Sequence, residues 1–182
     1  MSESVTLHRV SPADAEMIYA WRSELAARRF QPLRQIPVAE LREMLARRSA
    51  RPVDRTIEGE IQWMILAAGT PVGWVSLEIV SREHRLGGVG YTIAERHWGN
   101  GYASAGLRAM LPLALMPEHA DLWRLEAVVA VTNAASRRVL AKAAFQEEGI
   151  AREYLQVNGV RMDHVRLALL RPEWAAARRT GG

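Results

Sequence analysis

The sequence predicts a mixed α/β domain, an α+β sheet that is mostly antiparallel and flanked by helices, with the element order β-α-α-β-β-β-α-β-α-β-β. Three observations predict it. Two pairs of strand-like runs are joined by short turns, residues 61–67 to 72–80 through Gly69-Thr70-Pro71 and residues 145–157 to 160–170 through Asn158-Gly159. Between the hairpins, a strand-like run at 86–93 passes through Arg96-His97-Trp98-Gly99-Asn100-Gly101 into a helical run at 103–115 and then a strand at 123–131, which is a β-α-β unit. Ahead of the sheet lie two patterns with helical spacing, around residues 11–23 and 38–48.

Taken in order, residues 5–10 alternate as a short strand does. Ser11-Pro12-Ala13-Asp14 then places serine at an N-cap and proline at the first helical position, and a helix to about Ser23 follows, with Trp21 expected in the core. Pro32 and Pro37 keep residues 31–37 from being helical, leaving a loop that could cover a substrate. Residues 38–48 form an amphipathic helix with Leu41, Met44 and Leu45 on one face. Residues 51–58 connect into the sheet, and 81–85 are a charged loop. The helix at 103–115 carries Ala103, Leu107, Met110, Leu111 and Ala114 at spacings of three and four, with Pro112 expected to kink or shorten it. Asn133 can cap the helix at 133–143. Residues 1–173 are expected to form one domain, and 174–182 a fraying tail.

Composition excludes several classes. With 49% hydrophobic and 24% charged residues the chain reads as soluble and globular, and apolar stretches such as 111–116 are too short to span a bilayer, so no membrane partner is expected. Met1-Ser2-Glu3-Ser4 lacks the features of a secretory signal, which makes the cytoplasm the expected compartment. Zero cysteines exclude a disulfide scaffold, thiolate zinc and a cysteine nucleophile, and the five histidines are scattered without metal-ligand spacing, so no metal is expected. Formal charge is +4, and every basic residue except Lys142 is arginine. No basic stripe interleaved with aromatics appears, which argues against nucleic acid and for a modest preference for an anionic ligand.

The Arg96-x-x-Gly99-x-Gly101 turn carries the chemistry. Two glycines one residue apart, after a strand and at the mouth of a helix, let backbone N–H groups converge where the helix dipole favours an anion. No Lys-Ser/Thr follows them, so a nucleotide-hydrolysing loop is a poor fit. The turn takes its place in a longer set: Gly90-Tyr91-Thr92-Ile93, Trp98 through Ser104, Arg124-Leu125-Glu126-Ala127, Asn133-x-x-Ser136-x-x-Val139-Leu140, Phe145-x-x-Glu148-Gly149, Tyr154 and Asp163. Over about residues 61–170 this set resembles the GNAT N-acetyltransferase superfamily, and within it the RimJ/RimL-type branch, which acetylates ribosomal-protein N-termini and small amines. Three positions depart from that pattern. Ser104-Ala105 stands where the branch often has Thr-Glu, Ala144 stands where it usually has Gly, and Leu140 occupies the position of the tyrosine that many GNAT enzymes use as general acid.

The resemblance implies acetyl-CoA as co-substrate, with no metal, and direct attack of a primary amine on the thioester. It places the pyrophosphate on the backbone N–H groups of Trp98, Gly99, Asn100, Gly101, Tyr102 and Ala103, with charge from Arg96. Val89, Gly90 and Tyr91 would give backbone contacts to the pantetheine arm and polarise the acetyl carbonyl. Asn133 is expected to bond the pantetheine or cap its own helix. Ser136 would hydrogen-bond or protonate the thiolate sulfur. For the base, Glu95 and Tyr154 are the candidates, with His97, His84, Glu78 and a water chain as alternatives. The acceptor, a protein N-terminus or a small-molecule amine, stays open, as does a homodimer through the closing strands. The competing reading is a non-catalytic CoA- or protein-binding module on the same fold.

Overall fold

The strands are β1 (Val5–Arg9), β2 (Gly59–Ala67), β3 (Thr70–Ser81), β4 (Leu86–Ile93), β5 (Arg124–Ala130), β6 (Gln146–Val157) and β7 (Val160–Leu170), joined in one sheet of order β1-β2-β3-β4-β5-β7-β6. The computed structural model describes residues 5–33 and 35–180; the expectations for Met1-Ser2-Glu3-Ser4, for Arg34 in the 31–37 loop and for Gly181-Gly182 of the tail lie outside them. All strand pairs are antiparallel except β4 with β5, which are parallel and connected by helix α4 (Tyr102–Leu115). This is the mixed sheet that the sequence predicts. Among the described residues no helix is long and apolar enough to cross a membrane.

The side-chain alternation of β2 sends residues to two cores. Ile61, Trp63 and Ile65 face α4, where Leu107, Met110 and Leu111 meet them. Met64 faces the other way, under Ile18 and Trp21 of α1 (Ala15–Ser23) and Leu41 and Leu45 of α3 (Val38–Ser49). Taking each such side chain out of water contributes about 2 kcal/mol. Helix α4 lies so close to the sheet that a Cβ on Gly106 would stand 2.4 Å from Ile65 Cδ1. The sequence-predicted role of Trp21 in the core is the observed one.

Several local expectations are revised. A short helix, α2 (Leu25–Arg28), follows α1, and the start of the first helix is a 3-10 turn, Pro12–Asp14, in which Asp14 accepts hydrogen bonds from both the N–H and the hydroxyl of Ser11. Pro112 neither shortens nor ends α4. It sits in the last turn, and its own carbonyl accepts from Met116 N–H. The expected tail is instead helix α6 (Arg171–Thr180). Trp174, only 9% exposed, anchors α6 to the main core, and Glu173 accepts from the Leu170 N–H at its start, so the segment has both an apolar attachment and a cap.

The pairing of β4 with β5 positions the site. It covers only Leu86 with Arg124, Gly87 with Leu125 and Gly88 with Glu126. Beyond that, β4 stays with β3 as far as Ile93 and β5 stays with β7 as far as Ala130, so the two strands part. At the paired end the structure is tied together. Asp121 Oδ1 accepts from Arg85 and from Arg171, each at 2.6 Å, and both guanidinium groups lie over the Trp123 ring. Burial acts to raise the Asp121 carboxyl, but the hydrogen bond and charge of Arg171, with the charges of Arg85 and Arg55, outweigh it and hold the carboxyl below the usual aspartate value.

Candidate active site

A cavity of about 480 Å³ opens at the end where β4 and β5 part. Tyr91, Thr92 and Ile93 of β4 form one wall, and Asn133, Ser136 and Val139 at helix α5 (Ala134–Lys142) form the opposite one. The glycine turn and the first turn of α4 supply a third side, and Ala26, Ala27, Phe30 and Gln31 a fourth.

The glycine turn has the geometry its residues imply. Gly99 and Gly101 both adopt left-handed backbone, φ 82° and 79°, where an L side chain is strained. A Cβ at either would meet nothing within 4 Å, so both face open space. Gly101 is the N-cap of α4 and offers no side-chain cap. The next helix differs. Asn133 Oδ1 accepts from Ser136 N–H at 3.1 Å and satisfies the start of α5 from within the chain. Of the two roles expected for Asn133, capping is therefore formed here, and the residue also lines the cavity. Around the turn, Asn100 donates to the carbonyls of His97 and Trp98, and the Trp98 indole N–H donates to Ile93 O at 2.7 Å. These bonds brace the loop against the end of β4.

Tyr91 crosses the gap. Its hydroxyl lies 2.6 Å from Ser136 Oγ and 3.1 Å from Ser136 O. Burial pushes the phenol up to about 12, an effect that the hydrogen bond with Ser136 partly opposes. On its other side, the Tyr91 carbonyl accepts from Gln31 Nε2 at 3.2 Å. The loop at 31–37 thus reaches the free edge of β4 through Gln31, next to Phe30 in the cavity wall.

The structure brings together Tyr91, Trp98, Gly99, Gly101, Tyr102, Ala103, Asn133 and Ser136 around this cavity. Val89 and Gly90 lie further back on β4, where a Cβ on Gly90 would come within 3.1 Å of Ser76 Oγ. Arg96 is exposed and donates to the His97 ring. Glu95 is exposed at the start of a 3-10 turn, its N–H donating to the carboxylate of Glu24. Tyr154 lies on β6 beside His164, is 45% exposed, and stands outside the cavity lining. Two cations absent from the sequence reading do line the cavity. Arg138 and Lys142 are four apart, on one face of α5. Among the described residues, the cavity lining contains no carboxylate.

A thin backbone cradle at a helix mouth, beside a gap between strands with hydroxyl groups across it, can hold a phosphorylated carrier with its acyl end in the gap. The family model described as the acetyltransferase (GNAT) domain matches residues 4–146. The chain belongs to the GNAT acetyltransferase family. A relative, the uncharacterized N-acetyltransferase YoaA of Bacillus subtilis (strain 168), is 28% identical over 173 residues, which cover 94% of this chain and 96% of the relative. The [ribosomal protein uS5]-alanine N-acetyltransferase of Escherichia coli (strain K12) is 32% identical over 90 residues, 50% of this chain and 45% of that one. Among solved structures, Mycobacterium smegmatis RimJ in complex with CoA-disulfide is 26% identical with a TM-score of 0.75, covering 96% of this chain and 90% of that one. A spermidine N-acetyltransferase SpeG chimera from Vibrio cholerae and hSSAT has a TM-score of 0.80 at 23% identity, over 94% of this chain and 98% of that one, and shares the fold. This GNAT protein is an N-acetyltransferase, of a fold that uses acetyl-CoA.

The three departures from the family pattern have structural correlates. Leu140 is fully buried in the main core, so nothing at that position can donate a proton. Ser104 is buried and lines the cavity, in the first turn of α4. Ala144 adopts φ 65°, the left-handed region for which glycine is suited.

Proposed function

We infer that acetyl-CoA binds in the cavity between the parted ends of β4 and β5, and that an uncharged primary amine entering past α2 attacks its thioester. The parting of the strands at Gly88 and Glu126, with the glycine turn on one side and Ser136 on the other, carries this reading. The backbone N–H groups of Trp98, Gly99, Asn100, Gly101, Tyr102 and Ala103 would hold the pyrophosphate, which the open space at both glycine positions admits. Arg96 adds positive charge nearby. Arg138 and Lys142 suit the remaining phosphate of the carrier, since no carboxylate in the lining neutralises them. Val89, Gly90 and Tyr91 lie on the free edge of β4, where backbone groups can pair with an extended arm, and Asn133 stands across from them.

In the reaction the amine nitrogen forms a bond to the acetyl carbon, the carbon–sulfur bond breaks, and its electron pair leaves on sulfur. Ser136 is assigned the hydrogen bond to that sulfur. The amine's proton leaves to water or to Glu95 or Tyr154, which can reach the cavity only through solvent or a change of rotamer. The wall on the acceptor side, Ala26, Ala27, Phe30, Gln31 and Thr92, is small, apolar or neutral. That supports a peptide N-terminus with a small first residue over a polyamine, because a polycation finds no carboxylate there. Relatives named for a ribosomal-protein alanine and for spermidine mark the two choices. The test is release of free CoA with a panel of N-terminal peptides and polyamines. Turnover on Ala- or Ser-initiated peptides with none on spermidine is expected, the reverse overturns the acceptor assignment, and binding without turnover on any acceptor overturns the catalytic one.

A further inference from the structure

The Tyr91 side chain spans the cavity from β4 to α5, and acetyl transfer by the residues above leaves it without a task. Its hydroxyl has two oxygens of the same residue as neighbours, Ser136 Oγ at 2.6 Å and Ser136 O at 3.1 Å. A phenol has one proton to give. If it goes to the backbone carbonyl, the Ser136 hydroxyl proton turns toward Tyr91 and is lost to the cavity. If it goes to Oγ, the serine proton is free to point at a ligand. Two features favour the second arrangement. The separation to Oγ is the shorter by 0.5 Å, and it is an ordinary O–H···O length, whereas 3.1 Å is long for one. Ser136 also lies in the first turn of α5, where helical pairing already supplies its carbonyl with an N–H from the following turn.

We propose that Tyr91 is a positioning residue that donates to Ser136 Oγ and thereby aims the Ser136 hydroxyl proton at the sulfur of the departing thiolate. The inference rests on the assignment of Ser136 to the leaving sulfur. As the carbon–sulfur bond breaks, negative charge develops on sulfur and Ser136 O–H donates to it. The Tyr91 bond stabilises the serine oxygen as its proton is drawn away, and when CoA thiol leaves, solvent restores the serine proton. Tyr91 begins and ends protonated. Its partly buried phenol stays a donor throughout the neutral range, in keeping with this role. Leu140, buried where other family members carry a tyrosine, offers no competing donor.

The test compares Tyr91→Phe, Ser136→Ala and the double variant by steady-state kinetics, with acetyl-CoA affinity measured by calorimetry. Ser136→Ala is expected to lower kcat by roughly 100-fold at unchanged affinity. Tyr91→Phe is expected to lower kcat by about 10-fold, with acetyl-CoA affinity within about twofold of wild type. The double variant should match Ser136→Ala alone, since Tyr91 acts through that hydroxyl. A Tyr91→Phe enzyme with wild-type kcat, or a double variant in which the two losses multiply, overturns the role of Tyr91. A Ser136→Ala enzyme with wild-type kcat overturns the assignment of Ser136 beneath it, so the two failures are separable.

Discussion

The two ends of the β4–β5 pair are built from the same two strands and behave oppositely. At the end of Leu86 and Arg124 the strands are hydrogen-bonded, and the charges around them are matched within the chain: Asp121 answers Arg85 and Arg171, and Trp123 packs against both guanidiniums. At the Ile93 and Ala130 end the strands have parted, the helix N-terminus at Gly101 has no side-chain cap, and Arg138 and Lys142 face a cavity that, among the described residues, has no carboxylate in its lining. One end satisfies its own polar groups and so contributes stability. The other is the end to which ligand binding is assigned. Changes at the open end should therefore alter binding with little effect on folding, and changes at the closed end should do the reverse.

The largest expected effect is at the open end. Gly101→Val forces a β-branched residue into left-handed backbone and places methyl groups where the phosphates would bind, so acetyl-CoA affinity should fall by at least about 100-fold in calorimetry. The space at that position is empty, so the protein should still fold, with a modestly lower Tm. Replacing Arg138 and Lys142 together by alanine should weaken acetyl-CoA binding by roughly 10-fold at low salt and leave acetyl-dephospho-CoA almost unaffected. Equal losses for both ligands would place the third phosphate elsewhere.

At the closed end, Asp121→Asn keeps a residue type that tolerates the observed φ of 54° and removes the charge shared by Arg85 and Arg171. It should cost roughly 2 kcal/mol in urea unfolding at neutral pH with acetyl-CoA affinity unchanged. The pH dependence has a definite sign. The carboxyl is held below its ordinary value, so its contribution is fully present above that value and is lost as pH falls through the lower folded one. The gap between wild type and Asp121→Asn should accordingly narrow in acid and stay constant between neutral and mildly acidic pH. The smallest effect is Ala144→Gly, between α5 and β6. It relieves a left-handed alanine at φ 65° and should stabilise by about 0.5 to 1 kcal/mol, visible as a higher Tm.

How much of this was readable beforehand follows the range of the interactions. The strands, the two hairpins and the glycine turn are local chemistry, and Asn133 with Ser136 is a cap three residues long, so the sequence pattern displays them. The Tyr91 hydroxyl contact joins residues 45 apart, and the Gln31 contact with Tyr91 joins residues 60 apart. Each depends on where strand and helix end up in space, which no local spacing encodes. Arg138 and Lys142 carried a readable signal, two cations four apart on a helix next to the Asn-x-x-Ser segment, but many arginines elsewhere in the chain obscured it. Helix α6 was missed because Trp174 was read for its terminal position and not for its need of a core.

Hydrogen–deuterium exchange with and without saturating acetyl-CoA tests the contrast most directly. Protection should concentrate at residues 89–103 and 133–142 at the open end, with residues 120–125 and 171–174 at the closed end unchanged. Protection that falls on the closed end, or that spares the glycine turn, would contradict the assignment of the cavity as the acetyl-CoA site.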